Sequence, residues 1–311
     1  AGRDMRRETF KPDEMANLFD GLVRRGIVRG LFLSSGIAGG GVRCQDRLID
    51  TVEIVRNKRR FSGYLHLKLL PGADRDQVRR AMQLADRVSI NLEAPNQHRL
   101  DHLAPLKTFV DELYQPLRWA EEIRREEQPE GGWKGRWPSL ATQFVVGAVG
   151  ESDLELLTTT ERLFRDLRLA RVYYSPFSPV EQTPLDGKPP ENPLRTFRLY
   201  QASFLLRDYE FDLEDLPFVG TGQLPLDVDP KRAWAEENLR ESPVEINQAE
   251  RKELLRIPGI GPKGAAAILA GRQKAKIRSV GDLRALGIQP GRISPYVLFD
   301  GRRPTHQPRL W

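Results

Sequence analysis

Short apolar runs alternate with longer amphipathic stretches over the first 210 residues of the chain. The short runs are rich in β-branched and aromatic residues and have the length of strands, whereas the longer stretches are typical of helices. Strict alternation of strand and helix predicts right-handed βαβ units and one parallel sheet. The predicted strands are 30–35, 64–70, 87–93, 142–149 and 170–175, and the predicted helices lie near 12–25, 45–59, 74–86, 104–127 and 152–168.

Two of the predicted strands carry a polar residue at every second position. Ser89, Asn91 and Glu93 alternate with apolar residues in one strand, and His66 and Lys68 do so in another. Successive strand residues face opposite sides of a sheet, so one side of each strand is polar. A bare charge is costly in a sealed core. Either this side lines a solvated interior that holds a ligand, or the strands lie at a sheet edge and face solvent.

The pattern changes after residue 175. A loop rich in turn-forming residues (175–193) precedes a helical stretch (194–209), and an irregular connector with short helical pieces comes next. The sequence therefore predicts an α/β domain at 1–210, a connector at 211–246 and a small all-helical domain at 247–311.

Charge is distributed unevenly between these parts. Residues 247–311 hold 13 Lys and Arg against 4 Asp and Glu, whereas the preceding residues hold 36 basic and 39 acidic groups. A basic module on a nearly neutral body favours a polyanionic partner. No apolar run approaches the ~20 residues of a membrane span, and the single cysteine, Cys44, excludes an internal disulfide. We expect a cytoplasmic protein that does not contact a membrane.

The stretch LLRIPGIGPKGAAAIL (254–269) predicts two helices joined by a tight turn. Asn247 is expected to cap the first helix, with Glu250 three residues later in a capping box. This helix is expected to run to about Arg256 and to break at Pro258, because proline cannot continue a helix.

The turn itself has the composition of an anion site. Gly259 and Gly261 have no Cβ, so both can take positive φ and allow another backbone to approach closely. The second helix then begins at Pro262 with unpaired N–H groups and the positive end of its dipole, which suits a phosphate. The residues expected to form this site or to add charge around it are Arg256, Gly259, Ile260, Gly261, Lys263, Gly264, Arg272 and Lys274. A hairpin used only for protein packing is the alternative.

Two stretches resemble a known module. NQAERKELLRIPGIGPKGAAAIL (247–269) resembles a helix-hairpin-helix DNA-binding motif, and SVGDLRALGIQPGRISPYV (279–297) resembles the degenerate second hairpin that often accompanies it. DNA glycosylases with this module have a catalytic lysine at the position of Lys263 and an aspartate further along the chain. The downstream acid here is Asp282, which is expected to cap the next helix, so a glycosylase is disfavoured.

The first 210 residues resemble the radical S-adenosylmethionine enzymes, in particular their DNA modification and repair family, which also carries the hairpins. That family has a partial (β/α)6 barrel with its site at the C-terminal ends of the strands. The resemblance implies an α/β fold with a partial barrel followed by a helix-hairpin-helix domain. It rests on the order of GLFLSSGI (30–37), DRLIDTVEIVR (46–56), YLHLKLLPGA (64–73), RVSINLEAP (87–95), TQFVVGAVGESD (142–153), RVYYSPFSPV (171–180) and PLRTFRLYQASFLLRDYEF (193–211).

The resemblance implies contacts to S-adenosylmethionine at the strand ends. Glu151 could equally be a first-turn residue of the next helix, and packing is the alternative role for the two tyrosines at the end of the last strand. The implied positions are Ser34, Ser35 and Gly36 for the methionine part, Asn91 and Glu93 for the ribose with Lys68 on the same polar side, Gly147, Gly150 and Glu151 near the adenine, and Tyr173, Tyr174 and Ser175 near the substrate.

One motif of the family is missing. The family binds a [4Fe–4S] cluster through C-x3-C-x2-C after its first strand, because three thiolates leave one iron open, whereas Cys44 stands alone in this chain. AGRDMRRETFKPDEM (1–15) is similar to the segment after the cluster loop, so the chain is expected to start downstream of that strand and its motif. The resemblance implies S-adenosylmethionine and a [4Fe–4S] cluster as cofactors, the latter without its ligands in this sequence.

Three functions are compatible with these observations. The first is a radical S-adenosylmethionine enzyme of nucleic-acid modification or repair, with DNA as the favoured partner and the phosphate backbone as the contact. The second is a non-catalytic DNA-binding protein on a degenerate barrel. The third is a scaffold whose hairpins pack against a protein partner, which would associate in a salt-insensitive manner.

Overall fold

The computed structural model of the protein, which describes residues 9–36 and 40–304, contains a sheet of five parallel strands in the order in which they occur along the chain. The predicted parallel α/β arrangement is therefore confirmed. The segment 1–8, on which part of the expectation about the chain's start depends, lies outside the described residues. The strands are β1 (Gly30–Leu33), β2 (Tyr64–Lys68), β3 (Arg87–Ser89), β4 (Ser139–Val146) and β5 (Arg171–Pro176).

Helices connect successive strands, as the alternating pattern predicts. Right-handed crossovers between strands in sequential order place these helices on one face of the sheet, and neighbouring helices pack on one another. Two π-helical segments, Ile54–Lys58 and Phe109–Tyr114, adjoin helices and were not expected. The helices are α1 (Pro12–Arg24), α2 (Gly41–Glu53), α3 (Arg75–Leu84), α4 (Gln97–Leu103), α5 (Gln115–Glu126) and α6 (Asp153–Leu167).

The two faces of the sheet differ in polarity because side chains alternate along each strand. One face is apolar and buried, and it provides the core beneath the helices. Its residues are Leu31, Leu33, Leu65, Leu67, Val88, Leu140, Phe144, Val172 and Tyr174. The other face carries the polar residues of β2 and β3. Both of these strands have neighbours on each side, so the alternative that they lie at a sheet edge is wrong.

A buried arginine ties the helical layer to the ends of the strands. The Arg56 side chain is fully buried and pairs with Asp86 at 2.9 Å. It also donates to the carbonyls of Leu84, Phe61 and Gly63 at 2.8–2.9 Å. Burial lowers the pKa of Arg56, while Asp86 opposes this shift. Because its donors are satisfied by acceptors in the same unit, the charge is tolerated in the core.

Packing divides the chain into two units, Ala1–Glu151 with Arg162–Asn192 and Ser152–Glu161 with Pro193–Trp311. The second unit is mainly but not entirely helical, so the prediction of an all-helical segment at 247–311 is not met at the strand Val297–Leu298. Its helices are α7 (Pro193–Asp208), α8 (Pro230–Asn238), α9 (Arg251–Arg256), α10 (Pro262–Lys274) and α11 (Val280–Ala285). Two short parallel strands, β6 (Val244–Glu245) and β7 (Val297–Leu298), join the start and end of its last part.

This division differs from the predicted boundaries at residues 210 and 246. Ala235, Leu239 and Ile246 belong to the same hydrophobic cluster as Leu254 and Ile268. The stretch interpreted as an irregular connector therefore supplies part of the core of the second unit. Within the described residues, every helix is too short or too polar to cross a lipid bilayer.

Candidate functional site

The polar face of the sheet brings together residues from four strands. His66 lies beside Arg87, and Lys68 lies beside Ser89, in the register of β2 with β3. Further along the sheet, Gln143 lies beside Tyr173 in the register of β4 with β5. The sequence identified the β2 and β3 residues from their alternation. It did not identify Arg87 or Gln143, because these residues acquire their polar neighbours only when the strands pair.

His66 occupies the middle of this face as a neutral imidazole. Its Nε2 lies 2.7 Å from the hydroxyl of Ser89, and its ring lies 4.6 Å from that of Phe32. Burial lowers the pKa of His66 to about 4, and the positive charges of Arg87 and Lys68 add to the shift. The ring is therefore a hydrogen-bonding group rather than a cation near neutral pH.

The two adjacent tyrosines of β5 have different roles. Tyr173 accepts a hydrogen bond from the Arg87 guanidinium at 2.9 Å on the polar face. Tyr174 is buried on the other face, where its ring lies 6.2 Å from that of Phe144. Packing is thus the role of Tyr174, whereas Tyr173 belongs to the polar face.

The C-terminal end of β3 has an unusual backbone. The predicted strand 87–93 loses its ladder after Ser89, because the Thr142 hydroxyl bonds the backbone at Ile90 and Leu92 instead. Glu93 then pairs with β4 again and has φ of 66°. A left-handed conformation costs a non-glycine residue about 1–3 kcal/mol, and such strain is concentrated at functional sites.

The side chains predicted to contact a ribose converge at this end of the sheet. Lys107 donates to the Glu93 carboxylate at 3.3 Å. Burial lowers the pKa of Lys68, Glu93 opposes the shift, and Lys107 adds to it. The half-buried carboxamide of Asn91 has no hydrogen-bond partner within the described residues. The site therefore has a mixed charge and an amide available for a polar ligand.

The other predicted cofactor residues lie in two loops. Ser34, Ser35 and Gly36 come directly after β1 and are exposed. After β4, Gly147 has φ of 89° and donates to the Glu151 carboxylate. That carboxylate, which is 2% exposed, also accepts from the Val149 amide at 3.2 Å.

Glu151 therefore holds its own loop together. It precedes α6, so it does not lie in the first turn of that helix. Gly150 is exposed in the same loop and has φ of 72°.

The residues of this chain do not fit a [4Fe–4S] cluster. Such a cluster needs several thiolates, and the sequence contains one cysteine, which is buried in α2. Over residues 9–36 and 40–304, no group of three or more His, Cys, Asp and Glu side chains is suited to hold a metal ion.

In the second unit, α9 and α10 form the predicted pair of helices joined by a tight turn. The first helix ends at Arg256, and Pro262 occupies the first turn of α10, as predicted. The predicted cap is wrong. Glu250 is the N-cap and forms a capping box with Glu253. The Asn247 carboxamide instead bonds both backbone groups of Ile277, at 2.8 and 2.9 Å.

The two glycines of the turn serve different needs. Gly259 has φ of 92°, and a Cβ there would lie 3.2 Å from the Cβ of Arg292. Gly261 is extended, with φ of −106°, so the prediction of positive φ is wrong at this position. A Cβ at Gly261 would lie 3.2 Å from the Tyr209 hydroxyl. Glycine is thus favoured at 259 by its conformation, and at 261 by the tight approach of the Tyr209 hydroxyl.

Four backbone amides at the turn are available to a ligand. The Ile260 amide donates to the Ile257 carbonyl within the turn. No acceptor within the described residues bonds the amides of Gly259, Gly261, Lys263 or Gly264. Gly259 and Lys263 are exposed. This is the arrangement that favours an anion at a helix N-terminus.

The cations around the turn are only partly those predicted. Lys263 is exposed at the start of α10, as expected. Arg256 is 9% exposed, pairs with Asp215 at 2.5 Å and stacks on Phe211 and Trp234. Its charge is thus used inside the unit, where Asp215 and aromatic residues outside the predicted stretch enclose it.

Arg272 has a different role from the one expected, and Arg292, which was not predicted, lies near the turn. Arg272 donates to the Ala249 carbonyl at 2.6 Å, and this contact anchors α10 to the chain before α9. Arg292 is exposed, and its Cβ lies beside Gly259. It lies in the segment 279–297, distant along the chain from the turn, so only the fold reveals that it adjoins Gly259.

Two predicted site residues contribute to packing. Ile260 is 1% exposed and belongs to the core of the second unit. A Cβ at Gly264 would lie in ordinary contact with Ile260 and Ile288, so this position packs on the core and has room for alanine.

A cavity of about 700 Å³ adjoins the turn within the second unit. It is lined by Gly259 and Gly261, by residues of α7 and α8, and by Gly291 and Arg292. Its charged lining residues are Arg198, Asp227, Asp229, Lys231, Arg232, Glu236 and Arg292.

The segment 279–297 contains one helix followed by two 3₁₀ turns. Ser279 caps α11, and Asp282 accepts hydrogen bonds from the amides of Arg278 and Ser279. The predicted capping role of Asp282 is confirmed. Two 3₁₀ turns, Pro290–Arg292 and Ser294–Tyr296, occupy the place of a second helix.

Comparison with known proteins finds no family model that matches this chain and no curated protein with significant similarity to it. The functional interpretation therefore depends on the geometry of the two sites.

Proposed function

We propose that the chain binds nucleic acid, with DNA as the favoured partner, through the turn between α9 and α10, and that residues from α9 onward are a helix-hairpin-helix module. The observation that carries this proposal is the set of four amides without acceptors at an exposed turn. Lys263 and Arg292 place positive charge next to them.

A phosphodiester matches this site in charge and shape. Backbone N–H groups at a helix N-terminus bind phosphate oxygens, and lysine or arginine adds an ion contact. Contacts of this kind fix a protein on the sugar-phosphate backbone without reading the bases. We therefore expect affinity for duplexes of unrelated sequence and strong dependence on salt.

Substitution of Lys263 tests the proposal. Lys263→Met is expected to weaken duplex binding by roughly 3- to 10-fold for all sequences and to reduce the salt slope by about one contact. Fluorescence anisotropy with labelled duplexes measures both quantities. Lys274→Met is the matched control, since Lys274 is exposed on the same helix about 17 Å further along it. It is expected to have a smaller effect.

A second variant removes space rather than charge. Gly261→Val would place a side chain against the Tyr209 hydroxyl and over the amides, so it is expected to weaken duplex binding. Wild-type protein without affinity for duplexes, or equal losses in Lys263→Met and Lys274→Met, would contradict the proposed site. Binding of a protein partner that is insensitive to salt would favour the scaffold function instead.

The polar face of the sheet supports a second candidate function, which is binding of S-adenosylmethionine in a partial (β/α)6 barrel. The half-buried Asn91 carboxamide and the Glu93 carboxylate at the strand ends suit the hydroxyls of a ribose. Ser34, Ser35 and Gly36 would hold the methionine part. When bound, this cofactor would supply an alkyl sulfonium group, and the residues of this chain would bind and orient it.

Calorimetric titration of the protein with S-adenosylmethionine tests this candidate. Asn91→Ala is expected to weaken binding by roughly 5- to 10-fold, as the loss of one or two buried hydrogen bonds implies. Asn238→Ala, on an exposed side chain of the other unit, is the control. A titration without binding heat, together with a lack of competition between adenosine and S-adenosylmethionine, would contradict this candidate function.

A further inference from the structure

A buried lysine lies directly behind the turn. Lys231 of α8 is 8% exposed. Its Nζ donates to the Ile260 carbonyl at 2.6 Å and lies 4.6 Å from the centre of the Tyr209 ring. The negative charge of Asp229 opposes the effect of burial on the pKa of Lys231. Among the described residues, no carboxylate forms an ion pair with this lysine. An ammonium with this environment is costly unless something else stabilises it.

The acceptor of this hydrogen bond belongs to the peptide group that bears a ligand-binding amide. The carbonyl of Ile260 and the N–H of Gly261 share one peptide bond, and this bond is trans. In a trans peptide the C=O and N–H groups point in opposite directions. Because Lys231 holds the carbonyl towards α8, the Gly261 N–H points away from it. A cation on the carbonyl also polarises the peptide, which makes its N–H a stronger donor.

We propose that Lys231 is a positioning residue of the phosphate site, which orients and polarises the Ile260–Gly261 peptide so that its N–H binds a phosphodiester oxygen. This inference rests on the proposed nucleic-acid function and extends it to a residue outside the hairpin motif. It also links phosphate binding to the proton on Lys231, since only the protonated amine carries the polarising charge.

The surroundings of Lys231 determine whether affinity for nucleic acid rises or falls with pH. Burial lowers the pKa of Lys231 to about 7, against the opposing effect of Asp229. A bound phosphate adds negative charge near the amine and favours its protonated form. Affinity for nucleic acid is therefore expected to be greatest below pH 7 and to fall as the pH rises through this value.

The other ionisable groups around the cavity are carboxylates, guanidiniums and tyrosines. The carboxylates are Asp227, Asp229 and Glu236, and the guanidiniums are Arg198, Arg232 and Arg292. The pKa of Tyr209 is raised by burial, and that of Tyr296 is raised to about 12. Of the groups that line this cavity, Lys231 thus accounts for a change of binding near neutral pH.

The experiment measures duplex affinity from pH 6 to 9 at constant ionic strength for wild-type protein and variants. Wild-type affinity is expected to fall about 3- to 10-fold, which corresponds to a rise of roughly half to one pKa unit on binding. Lys231→Met is expected to bind weakly at pH 6 and to show no dependence on pH. Lys231→Arg keeps the charge and is expected to restore affinity without the pH dependence.

Lys252→Met is the matched control for loss of a lysine charge. Lys252 is exposed and pairs with Asp212, so this variant is expected to keep the wild-type pH profile. If Lys231→Met does not fold, the role of Lys231 can still be tested in the wild-type protein. Calorimetry of duplex binding in two buffers of different ionisation enthalpy measures the number of protons taken up. Net proton uptake on binding at pH 7.5 is expected.

The outcomes separate the two levels of the proposal. Wild-type protein that does not bind duplexes overturns the nucleic-acid function itself. Wild-type protein that binds without proton uptake, or a Lys231→Met variant with the wild-type pH profile, overturns the role of Lys231 and leaves the proposed function standing.

Discussion

At the scale of single residues, partners decide what a polar side chain can do. Arg256 and Lys263 lie in the same stretch of sequence, yet Arg256 lies against the rings of Phe211 and Trp234 and pairs with Asp215, whereas Lys263 is exposed. On the sheet, His66 is hydrogen-bonded to Ser89 and kept neutral by burial and by neighbouring cations. The same residue types in solvent would all be charged or partly charged near pH 6.

The state of His66 predicts an acid sensitivity of the first unit. Its pKa of about 4 in the folded protein lies below the unfolded value near 6.5. The unfolded chain therefore binds the proton more readily, and stability is lost as the pH falls from 6.5 towards 4. The contribution of His66 to this loss is expected to be about 1–3 kcal/mol.

Urea denaturation at several pH values measures this effect. His66→Gln keeps a hydrogen-bonding side chain opposite Ser89 but does not titrate, so it is expected to lose less stability on acidification than the wild-type protein. His102→Gln, at an exposed position, is the control. Identical acid profiles for His66→Gln and the wild type would contradict the prediction.

At the scale of elements, contacts between segments distant along the chain decide where a helix begins and how it is joined to its neighbours. Asn247 has the sequence signature of an N-cap, but its carboxamide bonds the backbone of Ile277, and Glu250 caps α9 instead. A long-range pair of hydrogen bonds thus replaces a local one. The result joins the entry to α9 with the segment that precedes α11.

Removal of this contact should destabilise the second unit. Asn247→Ala leaves the N–H and C=O of the buried Ile277 without partners, so a loss of about 1–3 kcal/mol is expected. Asn247→Asp keeps an acceptor for the N–H and is expected to lose less. Thermal and urea unfolding measure both variants. Asn238→Ala, which removes one exposed bond to a carbonyl, should have little effect, and an equal loss in this control would refute the special role of Asn247.

At the scale of the whole molecule, the positive charge is concentrated near the C-terminus. Residues 247–311 carry 13 basic and 4 acidic residues, while the remainder is slightly acidic. Charge of this kind raises the local concentration of a polyanion and speeds association. In the proposed function, the exposed turn between α9 and α10 would then supply the short-range contacts.

The salt dependence of binding depends on the number of phosphates that such a turn can contact. With two to three phosphates neutralised, affinity is expected to fall roughly 10- to 40-fold between 50 and 200 mM salt. Anisotropy titrations of the full chain with two duplexes of unrelated sequence are the appropriate measurement, and both should give the same slope. A flat response to salt would argue against backbone binding.

The sequence by itself determined the local framework. The alternation of apolar strands and amphipathic helices predicted the five parallel strands, and the alternation within β2 and β3 predicted their polar face. Pro258 and Pro262 fixed the end of α9 and the start of α10. These features depend on residue periodicity and on the backbone restrictions of proline and glycine. Both act over a few residues, so they can be predicted from the sequence.

Only the tertiary structure decided which side chains share a site. It buried Arg256, placed Arg292 beside Gly259 and brought Lys231 behind the Ile260 carbonyl. It also showed that residues 230–246 supply core rather than a linker. Such outcomes depend on packing between segments far apart along the chain, where burial and hydrogen-bond partners set the charge and availability of each group.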